Sequence, residues 1–166
     1  YTLVAIEDNT QIKENDVVLA TLNKGQVYSK YVTGGDMTGT LITSDKPIAY
    51  FTTNSCVNVP QGAAACDCLF QQQVPVHSWG STFLFPVTRR GKERIRVVSS
   101  QDGTTITQTG ATIISSPGTG SLVNLKAGQF VELEAVLSAG GCYIQSDKPV
   151  AVASFLTGTT YSGLSY

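Results

Sequence analysis

Charged side chains are scarce in this sequence. They make up 14% of its 166 residues, and the formal net charge at pH 7 is -1, whereas about 25% of the residues in an average soluble domain are charged. Proteins that bind nucleic acids or anionic membranes carry clustered Lys and Arg. The near-neutral balance therefore predicts no nucleic-acid partner.

Histidine is almost absent and long apolar runs are missing. The single imidazole, His77, leaves a zinc site to be built almost entirely from thiolates. His77 is next to Ser78, but the side chains of adjacent residues diverge too far for a catalytic triad, and the carboxylates are scattered along the chain. No apolar run reaches the roughly 18 residues of a membrane helix. We expect no catalytic residue, metal, cofactor or membrane insertion.

What the sequence has instead is a series of short runs rich in Val, Ile, Thr, Tyr and Phe, bounded by Gly, Asn, Asp, Ser or Pro. This pattern is typical of an all-β sandwich. The candidate strands are 2–6, 16–22, 26–32, 38–42, 47–53, 81–87, 94–100, 104–108, 111–115, 121–125, 129–136, 141–145 and 149–156. No helix is predicted.

The two halves of the chain repeat one another. EDNTQI (7–12) recurs as QDGTTI (101–106), TLNKGQVY (21–28) as NLKAGQFV (124–131), and LITSDKPIAYF (41–51) as YIQSDKPVAVA (143–153). The matches keep their order and a nearly constant spacing. We therefore expect duplicated, jelly-roll-like β-sandwich units at 1–54 and 81–166, packed as one domain, with a Cys- and Pro-rich connecting loop at 55–80.

The repeated words contain turn residues. Asp45 and Asp147 can cap a turn with their carboxylates, while Pro47 and Pro149 can open a strand where no backbone donor is needed. Gly25 and Gly128 are expected to be turn glycines with positive φ. Lys46 and Lys148 could instead belong to a ligand site, but their neighbours indicate no chemistry.

The four cysteines are an even number, and Cys66 and Cys68 form CxC rather than the CxxC of a metal knuckle. We expect disulfides and an oxidising compartment. A Cys56–Cys66 bridge would close a small Ala- and Gly-rich loop, and Cys68 and Cys142 would then join this segment to the second half. Four cysteines permit three pairings, so the connectivity stays open at this point.

Two features of the surface are candidates for binding. Trp79, the only tryptophan, could stack on a sugar or pack in the core, and the core is the preferred interpretation. A basic cluster at Arg89, Arg90, Lys92, Arg94 and Arg96 indicates an exposed hairpin turn. Its functional alternative is a patch for sulfated glycans or an acidic partner.

Several of these words resemble the N-terminal domain of IgG-Fc-binding proteins. The similar words are SDKPIAYF followed by Cys56, the Cys66–Asp67 pair, QQQVPVHSWG leading into FLFPV, and RVVSSQDGTTIT. They span roughly residues 17 to 156 and include Gln72, Pro75, Trp79 and Gly80. The chain departs from the family in having Cys68 and Cys142. The resemblance implies a family-like Cys56–Cys66 bridge, and the departure supports a Cys68–Cys142 pair beside it.

The resemblance implies an extracellular β-domain of mucus, adhesive or surface-layer proteins. The strand-like run that follows Tyr1 predicts that an upstream segment, either a signal peptide or more of the protein, was removed or left out. We expect a non-catalytic, secreted or cell-surface structural and adhesive domain that contacts other copies of itself or other extracellular proteins, as in a filament or matrix. The alternative is a recognition module for glycan or for a protein such as immunoglobulin Fc.

Overall fold

A computed structural model describes residues 1–88 and 92–162, and the predicted all-β class is confirmed. The strands are β1 Thr2–Ala5, β2 Thr10–Glu14, β3 Val17–Leu22, β4 Val27–Ser29, β5 Ile42–Ser44, β6 Ile48–Val57, β7 Asp67–Gln72, β8 Gly80–Pro86, β9 Arg94–Ser99, β10 Ile106–Thr109, β11 Ala111–Ile114, β12 Phe130–Ala135 and β13 Gly141–Phe155. Helical structure in this part of the chain is limited to α1, Thr159–Ser162, and to 3-10 turns at Val76–Ser78 and Leu137–Ala139. None of these helices is long and apolar enough to cross a membrane.

The chain divides into two compact units. Unit 1 comprises Tyr1–Ser55 and Cys68–Pro75, and unit 2 comprises Cys56–Asp67 and Val76–Tyr166. The predicted division at 54 and 80 differs from this partition, because the segment expected to be a connecting loop is shared between the units. The packing of the two halves as one domain stays a prediction.

Unit 1 contains two sheets. One has the strand order β4-β1-β6-β7 and the other has the order β3-β2-β5. Alternate residues of β1 and β2 point inward, which buries Leu3 and Ile12 completely beside Tyr1. Tyr28, Ile42, Ile48 and Tyr50 pack around this small core but are only partly buried.

Unit 2 contains one six-stranded sheet, in which β10, β13, β9, β12 and β11 are neighbours in that order and β8 pairs with β13. Its core is larger than that of unit 1. Fully buried side chains come from β9, β10, β12 and β13, and Phe83 and Phe85 of β8 pack against them. The first half of β13 is flanked by β8 and by β10, whereas its second half pairs with β9.

The repeated sequence words form the same hydrogen bonds in both units. Asp45 Oδ1 accepts the Gln11 N–H at 2.7 Å, as Asp147 Oδ1 accepts the Thr105 N–H at 2.8 Å. Asp8 Oδ1 accepts the Lys24 N–H, as Asp102 Oδ1 accepts the Ala127 N–H, and Gln26 Oε1 accepts the Asn23 N–H, as Gln129 Oε1 accepts the Lys126 N–H. Lys46 Nζ donates to Asp8 O, as Lys148 Nζ donates to Asp102 O. Thr10 Oγ1 donates to Glu7 O, as Thr104 Oγ1 donates to Gln101 O.

Strand registers match in the same way. Val4 is opposite Val27 and Ala49, as Val98 is opposite Phe130 and Ala151. Ile12 is opposite Ser44, as Ile106 is opposite Ser146. These pairings assign counterparts in unit 2 to the matched positions of β1, β2, β4, β5 and β6. A jelly-roll-like sandwich within each half stays a prediction.

Several strand predictions were wrong. Residues 121–125 form only one bridge, between Thr104 and Leu125, and no strand, and of the predicted strand 38–42 only Ile42 lies in a strand. The strands β2 and β7 were missed, β7 because Gln-rich segments have no strong strand signal and this one is held by pairing with β6. The predicted strands 141–145 and 149–156 are one strand, β13, so Pro149 does not open a strand but lies inside β13, whose register against β8 shifts between Gln145 and Val150.

Candidate functional site

Cys56 and Cys66 form a disulfide, as predicted, with their Cα atoms 5.0 Å apart. The bridge closes a loop rich in Ala and Gly. Within unit 2 this loop contacts the segment after β13, where the Gly158 N–H donates to Val59 O at 2.7 Å and the Ala64 N–H donates to Thr160 Oγ1 at 2.8 Å. The disulfide therefore fixes the loop against the end of a core strand.

The predicted Cys68–Cys142 bridge is wrong, since both residues are free thiols. Cys142 is 1% exposed and belongs to the core of unit 2, because it points inward from β13. Burial also raises the pKa of the Cys142 thiol. Cys68 lies on β7 of unit 1 and is exposed. The two extra cysteines therefore have separate roles, one in packing and one at the surface.

Two residues of the basic cluster, Arg94 and Arg96, belong to an ion-pair network. Arg94, only 7% exposed, pairs with Glu132 and with Glu134 at 3.3 and 3.1 Å. Arg96 Nε donates to Glu132 at 2.9 Å. The register explains the neutralisation, because Arg94 and Arg96 of β9 are opposite Glu134 and Glu132 of β12. Arg89 and Arg90 lie outside the described residues.

Tyr161 covers this network from the short C-terminal helix. Its hydroxyl contacts Glu134 and accepts a hydrogen bond from Arg94 at 3.0 Å. Its ring lies 5.1 Å from the ammonium group of Lys92. The hydrogen bond to Glu134, with burial, raises the pKa of the Tyr161 hydroxyl. Arg94 therefore does not contribute to an exposed patch, because β12 supplies matching carboxylates, whereas the predicted hairpin turn at Arg89, Arg90 and Lys92 lies largely outside the described residues.

A second polar cluster lies in unit 1 and was not predicted. Lys30 Nζ donates to both carboxylate oxygens of Glu14 at 2.7 Å, and the Tyr1 hydroxyl donates to Glu14 at 2.6 Å. These donors lower the pKa of Glu14, while burial and the Glu14 contact raise the pKa of Tyr1. The three residues are too far apart in sequence for any local pattern to have signalled them.

The remaining predicted residues serve the backbone. Asp45 ties its SDKP motif to Gln11 in β2, and Asp147 ties its SDKP motif to Thr105, next to β10. Gly25 and Gly128 have φ values of 78° and 77°, in the left-handed region that glycine tolerates.

Trp79 follows a 3-10 turn and is half-buried, outside both core clusters, and His77 is exposed. No group of three or more His, Cys, Asp or Glu residues suited to a metal ion occurs in residues 1–88 and 92–162.

An open apolar area faces outward from the four-stranded sheet of unit 1. Side-chain alternation and strand register place Thr2, Val4, Val27, Ser29, Ala49 and Phe51 on this face, and Phe70 joins them through its ring contact with Phe51; we term this face the Phe70 surface. The rings of Phe51 and Phe70 stack with their centroids 5.5 Å apart. Phe70 is 68% exposed and Val27 is 56% exposed. Cys68, two residues before Phe70, lies on the same side of β7.

Its counterpart in unit 2 differs in chemistry. Thr2 and Ser29 correspond to Arg96 and Glu132, and their hydroxyl oxygens are 3.0 Å apart. Where unit 2 has a buried charge network under Tyr161, unit 1 therefore has two small hydroxyls and exposed apolar side chains. The sequence did not reveal this surface, because alternation shows which side chains share a face but not which face remains open.

The fold defines a disulfide-bearing, all-β chain with an exposed apolar sheet face. The family described as IgGFc binding protein matches residues 2–166, and the chain belongs to this family, as the resemblance implied. It is a family of extracellular, protein-binding domains rather than of enzymes. No curated protein and no solved structure is significantly similar to the chain.

Proposed function

We propose that this chain is a non-catalytic structural and adhesive domain, secreted or displayed at a cell surface, that acts through protein–protein contacts at the Phe70 surface. The observation that carries the proposal is the stacked Phe51–Phe70 pair, in which Phe70 is 68% exposed, on a face where unit 2 instead has a charge network under Tyr161. Aromatic side chains on an accessible face contribute strongly to protein interfaces. Other copies of the chain in an extracellular layer or filament are the partners that we favour.

Few charges surround this surface. Thr2 and Ser29 are neutral, and the carboxylate of Glu14 in the same unit is already paired with Lys30. An interface without unpaired charges avoids the desolvation cost that buried ions impose. The surface therefore suits a weakly polar protein partner better than a sulfated glycan.

The glycan alternative loses part of its support. Arg94 and Arg96 are neutralised by Glu132 and Glu134, so they offer no net positive charge to a sulfate group. Recognition of immunoglobulin Fc is the second candidate, because the family description names that ligand. In that case Phe70 would be covered by a surface of Fc, and not by a second copy of the chain.

Light scattering of the purified chain at several concentrations tests self-association. Cys68→Ser should be the reference background, because it removes disulfide cross-linking through the exposed thiol. We expect the weight-average mass to rise with concentration, and Phe70→Ser to abolish the rise. Leu84→Ser is the matched control, because Leu84 on β8 of unit 2 is 76% exposed but lies outside the Phe70 surface.

Binding to immobilised Fc separates the two candidates. A strict monomer that binds Fc, with affinity lost in Phe70→Ser and retained in Leu84→Ser, would replace self-association with Fc recognition. A strict monomer that ignores Fc would contradict both uses of the surface.

A further inference from the structure

One strand that completes unit 2 has no counterpart in unit 1. In unit 2, β8 pairs with the first half of β13, so that Phe83 is opposite Ile144 and Phe85 is opposite Cys142. The matched segment of unit 1 is β5, which pairs with β2 on one side and forms the edge of its sheet on the other. No segment among residues 1–88 and 92–162 pairs with that free edge.

Backbone groups of β5 point toward its free edge, where they could pair with another strand. The Asp45 N–H donates to Gln11 O at 3.2 Å and the Asn15 N–H donates to Leu41 O at 2.9 Å, so alternate residues of this segment point their backbone groups toward β2. Backbone groups alternate in an antiparallel strand. Those of Ile42 and Ser44 therefore point away from β2, and they form no hydrogen bond within the described parts of the chain.

The burial of matched side chains differs between the units at the positions where the strand is missing. Ile144 and Val150 of unit 2 are both 0% exposed, and they are opposite Phe83 and Gly80 of β8. Their counterparts in unit 1, Ile42 and Ile48, are only partly buried. In contrast, Ile12 and Ile106, whose neighbours are present in both units, are equally buried.

We propose that the free edge of β5 accepts an antiparallel strand from another polypeptide chain, carrying two large apolar side chains two residues apart as β8 carries Phe83 and Phe85. The incoming backbone would pair with Ile42, and its apolar side chains would cover Ile42 and Ile48. Strand addition at a sheet edge gains affinity from backbone hydrogen bonds and specificity from alternate side chains. This edge is not part of the Phe70 surface, so the proposal goes beyond the function proposed above.

A peptide with the sequence of β8 and the next residue, GSTFLFPV (80–87), is the probe, with lysines added at both ends for solubility. Amide hydrogen exchange of the isotope-labelled chain is followed by NMR with and without saturating peptide. We expect exchange at Ile42 to slow at least tenfold, while the amides of β9 in unit 2 do not change. A control peptide with serine at both phenylalanine positions should give no protection.

Two variants test the backbone and the side chain separately. Ile42→Pro removes the N–H that faces the edge and should abolish binding, whereas Ile42→Ala keeps the N–H and should retain weakened binding. Phe70→Ser should bind the peptide normally, which separates this result from the outcome of the self-association experiment. Protection of Ile42 in the chain alone, protection at β7 instead of β5, or equal effects of the two peptides would overturn the proposal.

Discussion

Units 1 and 2 hold their loops with the same hydrogen bonds but fill their sheets differently. In both, an Asp carboxylate, a Lys ammonium group and a Gln amide bind the backbone at matched positions. Unit 2 has a large core and a buried network of Arg and Glu. Unit 1 has a small core, an exposed Phe70 and a free edge at β5. The matched hydrogen bonds therefore constrain the backbone in both units without determining which side chains or strands cover it.

The largest difference is expected at the charge network. Replacing Glu132 with Ala leaves two arginines without their shared carboxylate, one of them buried, and breaking a buried pair costs about 3–5 kcal/mol. Since Arg94 keeps Glu134, we expect the lower end of that range. Urea unfolding, read unit by unit through hydrogen exchange, measures the loss.

The matched change in unit 1 is Ser29→Ala, which removes one exposed hydroxyl contact. It should change the free energy of unfolding by less than about 0.5 kcal/mol. Equal losses from Glu132→Ala and Ser29→Ala would contradict the contrast between a buried network and an open face.

A smaller difference is expected between two matched isoleucines. Ile144→Ala creates a cavity in a closed core and should destabilise unit 2 by about 3 kcal/mol. Ile42→Ala removes a side chain that is already half-solvated, so a loss of about 1 kcal/mol is expected in unit 1. The same unfolding measurement compares them, and a larger loss at Ile42 would refute an incomplete core in unit 1.

The disulfide belongs to unit 2. Reducing Cys56–Cys66, or replacing both with Ser, releases a short loop and should lower stability by about 2–3 kcal/mol. Cys68→Ser should have no such effect. A thiol reagent should modify Cys68 in the folded chain and reach Cys142 only after unfolding. Rapid modification of Cys142 under native conditions would show that its strand is not in the core.

The matched hydrogen bonds are expected to contribute equally to the stability of the two units. Asp45→Ala and Asp147→Ala each leave one backbone N–H without its acceptor, which costs about 1 kcal/mol per hydrogen bond. Losses that differ by more than about 0.5 kcal/mol would indicate that the matched hydrogen bonds do not contribute equally.

The smallest effect concerns pH and unit 1 alone. Hydrogen bonds from Lys30 and Tyr1 lower the pKa of Glu14 below its ordinary value of 4.5. This stabilisation is therefore complete above pH 4.5 and is lost as the pH falls through the lowered pKa. Because Lys30 is partly exposed, the contribution should be below about 1 kcal/mol.

Glu14→Gln should remove this part of the acid dependence of unit 1 and leave unit 2 unchanged, as followed by hydrogen exchange between pH 3 and 6. If the stability of unit 1 depended on pH in the same way in Glu14→Gln as in the unchanged chain, the Glu14 carboxylate would not be its cause.

Local patterns in the sequence determined the all-β class, the turn glycines and the repeated words, because alternation, φ preference and loop chemistry act over a few residues. The resemblance to the family implied the Cys56–Cys66 bridge, whose connectivity the cysteine pattern left open. Tertiary structure alone decided which arginines are buried, that Cys142 packs in a core, which sheet face stays open and which edge lacks a strand. Each of these depends on cross-strand neighbours distant in sequence, such as Glu132 opposite Arg96, and local patterns do not encode such neighbours.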